Sequence, residues 1–351
     1  MNVKTALIVA IVTIDIVVIA FALPLPGRAE VEAAMPSGIA VDPAGQRVYV
    51  AMSGADAVTV IDSTSRQVFA TVPVGRQPVG IVVDERVGRV FVANRLDASV
   101  SVIDTSSLAV VATVAVGDYP WAIAQNERTG KVYVTNRRDG SVSVINDATL
   151  AVVATIPVQD DPAGIALDPV LARGYVTNRE SGTISIIDTD ENQLIENIDG
   201  GSYAWGNAVD PRNGRVYVAM MGSGTVDVID GPAGRVAILP APFDPQGVGL
   251  PSANFDTYFS ITVGGDPSDA AINPITQRVY VTNRRYSTVS VIDAVANHGI
   301  TTIPVMLDPI AVAVDPTTNL IYVASRRKDA VTVIDGATNL VVTDILLDGD
   351  V

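Results

Sequence analysis

VYVTNRRDGSVSVI, residues 132–145, returns as VYVTNRRYSTVSVI at residues 279–292 with three of its fourteen positions changed. A segment written twice marks a structural unit stacked on copies of itself, and the spacing of the copies dictates the architecture. The aromatic that opens each copy falls at Tyr49, Phe91, Tyr133, Tyr175, Tyr217, Tyr280 and Tyr322, so every step is 42 residues except one of 63. The protein therefore carries seven units and one 21-residue insertion. Pro36, Pro78, Pro120, Pro162, Ala204, Pro267 and Pro309 lead a phrase like GIAVDP upstream of each aromatic, and VSVID or a variant follows it. The units fill residues 36–350 with no partial copy left over.

Within a unit, short runs rich in Val, Ile, Thr and Tyr alternate with small or polar residues, and Asp-Pro, Asn or Gly punctuates the gaps, which is the pattern of strands and tight turns. In the unit 120–161 this predicts strands over 122–124, 132–135, 142–145 and 152–157. Four strands in about 42 residues is the pattern of a propeller blade. The expected fold is all-β, a seven-bladed β-propeller of four-stranded blades. A lone twisted sheet cannot bury both faces, whereas seven arranged radially bury each against a neighbour. The polypeptide enters the ring with a first strand and leaves it with a fourth, so closure is expected by face packing of blades one and seven. A strand borrowed from residues 29–34 is the alternative.

VYVTN at 132–136 and 279–283, YVTN at 175–178, and the variants FVAN at 91–94 and YVAS at 322–325 resemble the repeats of the YVTN-repeat β-propeller family. The resemblance spans residues 36–351. It implies an exported, cell-surface or periplasmic protein, and a binding scaffold more readily than a catalyst. Related seven-bladed folds include lactonases and quinoprotein subunits, so the fold by itself leaves an enzyme open.

Ahead of the repeats lies MNVKTALIVAIVTIDIVVIAFALPLPGRAEVEA, in which Lys4 and Arg28 flank a stretch charged only at Asp15. Residues 5–23 are nineteen in a row, near the roughly 20 needed to span a bilayer and longer than the roughly 7–15 of a cleavable signal core. Pro24 and Pro26 would end such a helix. The expectation is a hydrophobic helix over residues 1–26, a membrane anchor or uncleaved signal, with a linker over 27–35. Gly27-Arg28-Ala29 reads alternatively as a cleavage site. Lys4 on the inner side places the propeller outside the cytoplasm, on the periplasmic or extracellular face. Asp15 is costly within a bilayer and is expected to meet a partner there, or to be tolerated by its apolar neighbours.

No cysteine is present, which fits an exported domain with enough core to dispense with disulfides. The net charge of −15 argues against nucleic acid as a partner. Against that acidity, the position four residues after the repeat aromatic is Arg95, Arg137, Arg179, Arg284 and Arg326, with Arg138, Arg285 and Arg327 beside them. Blades one and five have Ser53 and Met221 there. In a propeller these turns share a rim with the blade-linking loops, which here include GDYPW and GSYAW with Tyr119, Trp121, Tyr203 and Trp205. Arginine beside aromatic side chains is the composition of binding centres, so this rim is the expected partner-docking surface. The plainer reading pairs each Arg with Asp118, Asp161, Asp266 or Asp308 and uses the indoles to plug the central opening. A second basic series, Arg47, Arg89, Lys131, Arg173, Arg215 and Arg278, is expected to make contacts within its own blade. The insertion, about residues 231–257, falls between the third and fourth strands of blade five, on the opposite rim.

Chemistry is scarce elsewhere. His298 is the only histidine and reads as a solvated turn residue, no Gly-rich phosphate loop opens a helix, and Asp188–Asn192 has Gln193 where a calcium loop needs glycine. No catalytic residue, metal site or cofactor is expected. The sequence reads as a non-catalytic, membrane-anchored scaffold for protein partners, an accessory subunit of a membrane complex. Its alternatives are a lactonase-like or other hydrolase using the central opening, and a surface-layer or adhesion module.

Overall fold

Seven antiparallel sheets, each of four strands in sequential order, make up the computed structural model, which describes residues 34–201, 203–230 and 259–347. In blade three the strands are Pro120–Asn126, Lys131–Asn136, Ser141–Asn146 and Ala151–Pro157, each the expected strand lengthened at one or both ends. Most of the extra residues are polar ones that periodicity alone does not register, such as Asn136 opposite Ser141. Second strands such as Arg173–Asn178 are buried from the second residue onward, while fourth strands such as Ala151–Pro157 are mostly exposed. That gradient accounts for the composition: strands covered on both faces read as nearly unbroken apolar runs, and strands at an outer edge mix apolar with polar residues.

Each seam between blades has its own core. Tyr49, Val58 and Val60 of blade one pack with Ile81, Val90 and Ile103 of blade two, and six comparable clusters follow around the ring. The repeat aromatic is fully buried in every blade, always in the seam toward the next one. Burying a side chain of this size contributes about 2–3 kcal/mol. In several blades its hydroxyl adds a latch: Tyr133 Oη donates to the Thr189 carbonyl at 2.8 Å and Tyr217 Oη to the Ala294 carbonyl at 3.0 Å.

Four of the second basic series join these latches: the strand register sets each opposite the Asp or Asn of its own blade as expected, but the side chain reaches the next blade. Lys131 Nζ donates to the Thr189 carbonyl at 3.1 Å, Arg278 to the Gly336 carbonyl at 2.8 Å, and Arg47 and Arg89 to the Thr105 and Asp147 carbonyls. All four acceptors belong to the following blade. The cause is the alternation of the strand: the basic residue sits two places before the aromatic, so both point into the same seam. The Asp or Asn ending each first strand is engaged locally instead, accepting backbone N–H groups of its own turn, as Asp42 does from Gly45 at 2.8 Å.

Closure follows the expected route. Tyr322, Ala324 and Val333 of blade seven pack on Ile39, Val48 and Val50 of blade one, and the last sheet holds only its own four strands among the described residues. Asp329 then ties the seam, its carboxylate accepting the Met35 N–H at 2.7 Å and the Ala34 N–H at 3.3 Å. Asp56 does the same for Gln77 between blades one and two at 2.8 Å. The insertion is bracketed by Thr225–Asp230 and Phe259–Thr262, which pair as third and fourth strands. The insertion itself, the expected anchor over 1–26 with Asp15, and the linker up to residue 33 lie outside the described residues. Among the described residues no helix is long and apolar enough to cross a membrane.

Candidate partner-docking rim

The rim is built from one backbone bond repeated seven times. The N–H of Ser53, Arg95, Arg137, Arg179, Met221, Arg284 and Arg326 donates at 3.0–3.1 Å to the carbonyl of the residue just before its blade's first strand. Those acceptors are Met35, Gln77, Tyr119, Asp161, Tyr203, Asp266 and Asp308, all left-handed with φ between 51° and 61°. Left-handed backbone in a non-glycine residue costs about 1 kcal/mol or more, so at each of these seven slots, as at other turns of the blades, side-chain direction is fixed at some expense. In this geometry the side chain before each first strand stands next to the guanidiniums, so its identity decides what they meet.

Between blades three and four that residue is Asp161, which accepts from Nε of both Arg137 and Arg179. Burial works against the Asp161 charge, but the two guanidiniums outweigh it and hold the carboxyl below its ordinary range. Between blades two and three it is Tyr119, with the Arg95 guanidinium 4.9 Å from the ring centroid and that of Arg137 6.0 Å. Arg138 lies 4.5 Å from the same ring and 3.5 Å from Asp118. Asp308 accepts from Arg284 Nε at 2.8 Å, and Gln77 accepts from Arg95.

The indoles are aimed at the mouth by irregular pairing. In blade three the register jumps from Pro120 opposite Asn136 to Ile123 opposite Val134, and in blade five from Ala204 opposite Met220 to Asn207 opposite Val218. Such bulges redirect side chains. Trp121 and Trp205 consequently meet edge to face, centroids 5.7 Å apart and planes at 89°, although a whole blade separates them. Arg137 stands 4.5 Å from one ring and 5.5 Å from the other, and Arg179 lies 5.3 Å from Trp205. Cation–π contacts this well enclosed are worth about 1–2 kcal/mol.

Both sequence readings of the rim thus describe the same atoms. Asp118, Asp161 and Asp308 pair with arginines as the plainer reading has it, and the guanidiniums and indoles share one rim. Arg95, Arg137, Arg138, Arg179, Tyr119, Trp121 and Trp205 form one connected group. Arg284, Arg285 and Arg327 stand apart, around a shallow depression of about 380 Å³ with Asp266 and Asp308. Tyr203 is 55% exposed, and the neighbouring crown residue is Met221.

Below the mouth all seven first strands line a cavity of about 160 Å³ whose wall includes Trp121, Trp205, Asn207, Asp269 and Arg326. Sequence reasoning missed Asp269, although its signal was present: it is the third residue of a first strand, where the other blades have Gly38, Gly80, Ala122, Gly164, Gly206 and Ala311. Its Oδ2 accepts the Val312 N–H at 2.9 Å, bridging blades six and seven, and Oδ1 accepts the Ala270 N–H at 2.9 Å. Burial pushes its pKa up to about 7, with these two bonds pulling the other way. Among the described residues no three His, Asp or Glu side chains gather where a metal could be held.

No protein-family model matches this sequence, and no curated protein matches it. Among solved structures it is similar to one polypeptide of hydrazine synthase from Kuenenia stuttgartiensis, with a TM-score of 0.75 over 88% of this protein and 98% of that one at 19% identity. At that identity the likeness shows the propeller fold alone.

Proposed function

We propose that this propeller is a non-catalytic scaffold of the YVTN-repeat kind, docking protein partners through its arginine–aromatic rim as an accessory subunit of a membrane complex. The residues assigned to docking are Arg95, Arg137, Arg138, Arg179, Arg284, Arg285, Arg326 and Arg327 with Tyr119, Trp121, Tyr203 and Trp205. One observation carries this reading: Arg137 is clasped by both indoles and by Asp161, presenting a rigid aromatic and cationic centre beside the exposed Arg138 and the half-buried Arg95 and Arg179. Rigid aromatic anchors lose little entropy on binding, and arginine is enriched where interfaces bury their energy. Anchorage through residues 1–26, with Asp15 meeting a partner in the membrane and the propeller on the outer face, belongs to the same proposal and rests on sequence.

The test is gentle detergent extraction of the tagged full-length protein from its native membranes, followed by identification of copurifying proteins. The wild type is expected to bring down a defined partner, and the double variant Trp121→Ala/Arg138→Ala to lose it by tenfold or more while the ring still melts cooperatively. A protein that purifies alone from membranes overturns the reading.

Asp269 gives the hydrolase alternative one specific support, since a carboxyl with a pKa near 7 inside a channel suits general acid–base work. It is a single carboxyl whose two oxygens are both occupied by backbone N–H groups, which is the geometry of a tie between strands. A lactone and ester hydrolysis screen comparing wild type with Asp269→Asn separates the two: activity that vanishes in the variant would establish the enzyme.

A further inference from the structure

Carboxylates before the first strands pair with crown arginines over only part of the rim, at Asp161 and Asp308, and blade one supplies neither an arginine nor a carboxylate there. Asp161 sets the pattern: one carboxylate between two blades, one oxygen to Nε of Arg137 and the other to Nε of Arg179. Over blade one the slot before the first strand holds Met35, and the crown position holds Ser53, whose hydroxyl is spent on the Met35 carbonyl at 2.9 Å. The arginines on either side are Arg326 of blade seven and Arg95 of blade two. Nε of each is buried and meets no acceptor among the described residues. Asp308, the carboxylate before blade seven, is engaged by Arg284 Nε at 2.8 Å. Burial, and then the Arg284 charge, push the Arg326 pKa below its ordinary value, with Arg95 adding to them and Asp308 opposing. In a protein of net charge −15, this arc is a local excess of buried positive charge whose Nε–H donors are left over.

We propose that a carboxylate of the protein partner, an acidic side chain or a free terminal carboxyl, seats over blade one between Arg95 and Arg326. Asp161 makes such a bridge across one seam; here the carboxylate spans blade one, whose own crown residue is Ser53. This deepens the docking reading above and rests on it. Carboxylate is favoured over phosphate because the anionic acceptors that crown arginines already use, Asp161 for Arg137 and Arg179 and Asp308 for Arg284, are carboxylates taking single Nε–H bonds. A dianion would also be repelled more strongly by the acidic surface. Charge-assisted hydrogen bonds to guanidinium are the strong kind, and Met35 beside the slot offers an apolar contact to the methylenes of a glutamate.

Trp121 and Trp205 are the only tryptophans, so intrinsic fluorescence reports on the mouth directly. The full-length protein is titrated with N-acetyl-Ala-Ala-Glu-amide and with N-acetyl-Ala-Ala-Ala bearing a free terminal carboxyl, each against its neutral counterpart, and with inorganic phosphate. Saturable response to at least one acidic peptide, none to the neutral ones and weaker response to phosphate is expected. Arg326→Met should weaken the acidic peptide by roughly ten- to hundredfold, the usual effect of losing a charge-assisted bond, and Arg285→Met by less than twofold. Met221 occupies the equivalent place in blade five, so the variant has an internal precedent, and its Tm should stay level or rise because burial and the Arg284 charge outweigh the attraction of Asp308 for Arg326. A Tm fall of several degrees with unchanged peptide affinity would make Arg326 structural and overturn the proposal, as would equal binding of neutral peptides or tighter binding of phosphate. Should a membrane partner copurify equally with wild type and Arg326→Met, the seat fails and the docking rim stands. Should the peptides bind as expected and no partner copurify, the seat stands and the docking rim fails.

Discussion

Asp269 shows how one residue out of step with its six counterparts alters the energetics of the ring. Glycine or alanine fits the third position of a first strand because space there is short: a Cβ added to Gly80 would stand 2.3 Å from the Trp121 carbonyl oxygen, and one on Gly164 2.3 Å from that of Trp205. Asp269 is accommodated by turning its carboxyl along the inner strands to two backbone N–H groups, and it forgoes water to do so. Its folded pKa of about 7 lies above the roughly 3.9 of an unfolded carboxyl, so between those values the folded protein holds a proton that the unfolded one has released. Stability from this group is therefore full below about pH 4, declines as pH rises toward 7 and is level above it. Asp269→Asn removes that slope. Denaturant unfolding of both proteins from pH 5 to 8 should show the wild type losing about 2 kcal/mol relative to the variant by pH 7; parallel curves would mean that Asp269 is already ionised at pH 5.

At the scale of the element, the blade was legible in the sequence and its seams were not. Strand order, blade count and the place of the insertion follow from a period of 42 and the turn residues, because both are properties of one unit. The partner of Arg47 or Arg278 belongs to the next unit, and a repeat cannot say whether an identical environment lies within a blade or one blade further on. The period marks the slots before the first strands as one position, but Gln77, Tyr119 and Asp161 share no chemistry, and what their side chains meet shows only in the fold. Another seam residue carries a prediction. Asp84 ends a first strand, as Asn126 and Asn273 do in other blades, and faces Asp147 across the seam of blades two and three. Burial and then the Asp147 carboxyl push the Asp84 pKa up, and one Asp84 oxygen has no donor among the described residues. In the next seam Asn126 Nδ2 donates to Thr189 Oγ1 at 3.3 Å, so an amide fits this geometry. Asp84→Asn should raise stability by about 1 kcal/mol at pH 8 and by progressively less as the pH falls and the wild-type carboxyl takes up a proton that it can itself donate. A destabilised variant at pH 8 would show that Arg86, whose guanidinium contacts Asp147 and lies 3.8 Å from Asp84, needs both charges.

Closure belongs to the whole molecule, because six seams are crossed by the polypeptide itself and the seventh is not. Seam cores of similar make-up hold blades together around the ring, yet between blades seven and one nothing covalent keeps the faces in reach if they part. Asp329 substitutes for the missing link by fixing the backbone just ahead of blade one to the far side of the seam. Asp56 makes the same bond to Gln77 where the polypeptide already runs from blade one to blade two. Both aspartates are left-handed, at φ 42° and 51°, so replacing either with alanine adds comparable backbone strain, and the comparison isolates topology. Loss of the tie at the open seam releases conformational freedom that the linked seam never gains, in the manner of loop closure. Asp329→Ala should lower stability by about 1–2 kcal/mol more than Asp56→Ala, and hydrogen exchange should accelerate first in Pro36–Asp42 and Ala330–Asp335, on either side of the gap. Equal losses in the two variants, with exchange spread evenly over all blades, would mean that apolar faces alone hold the ring shut.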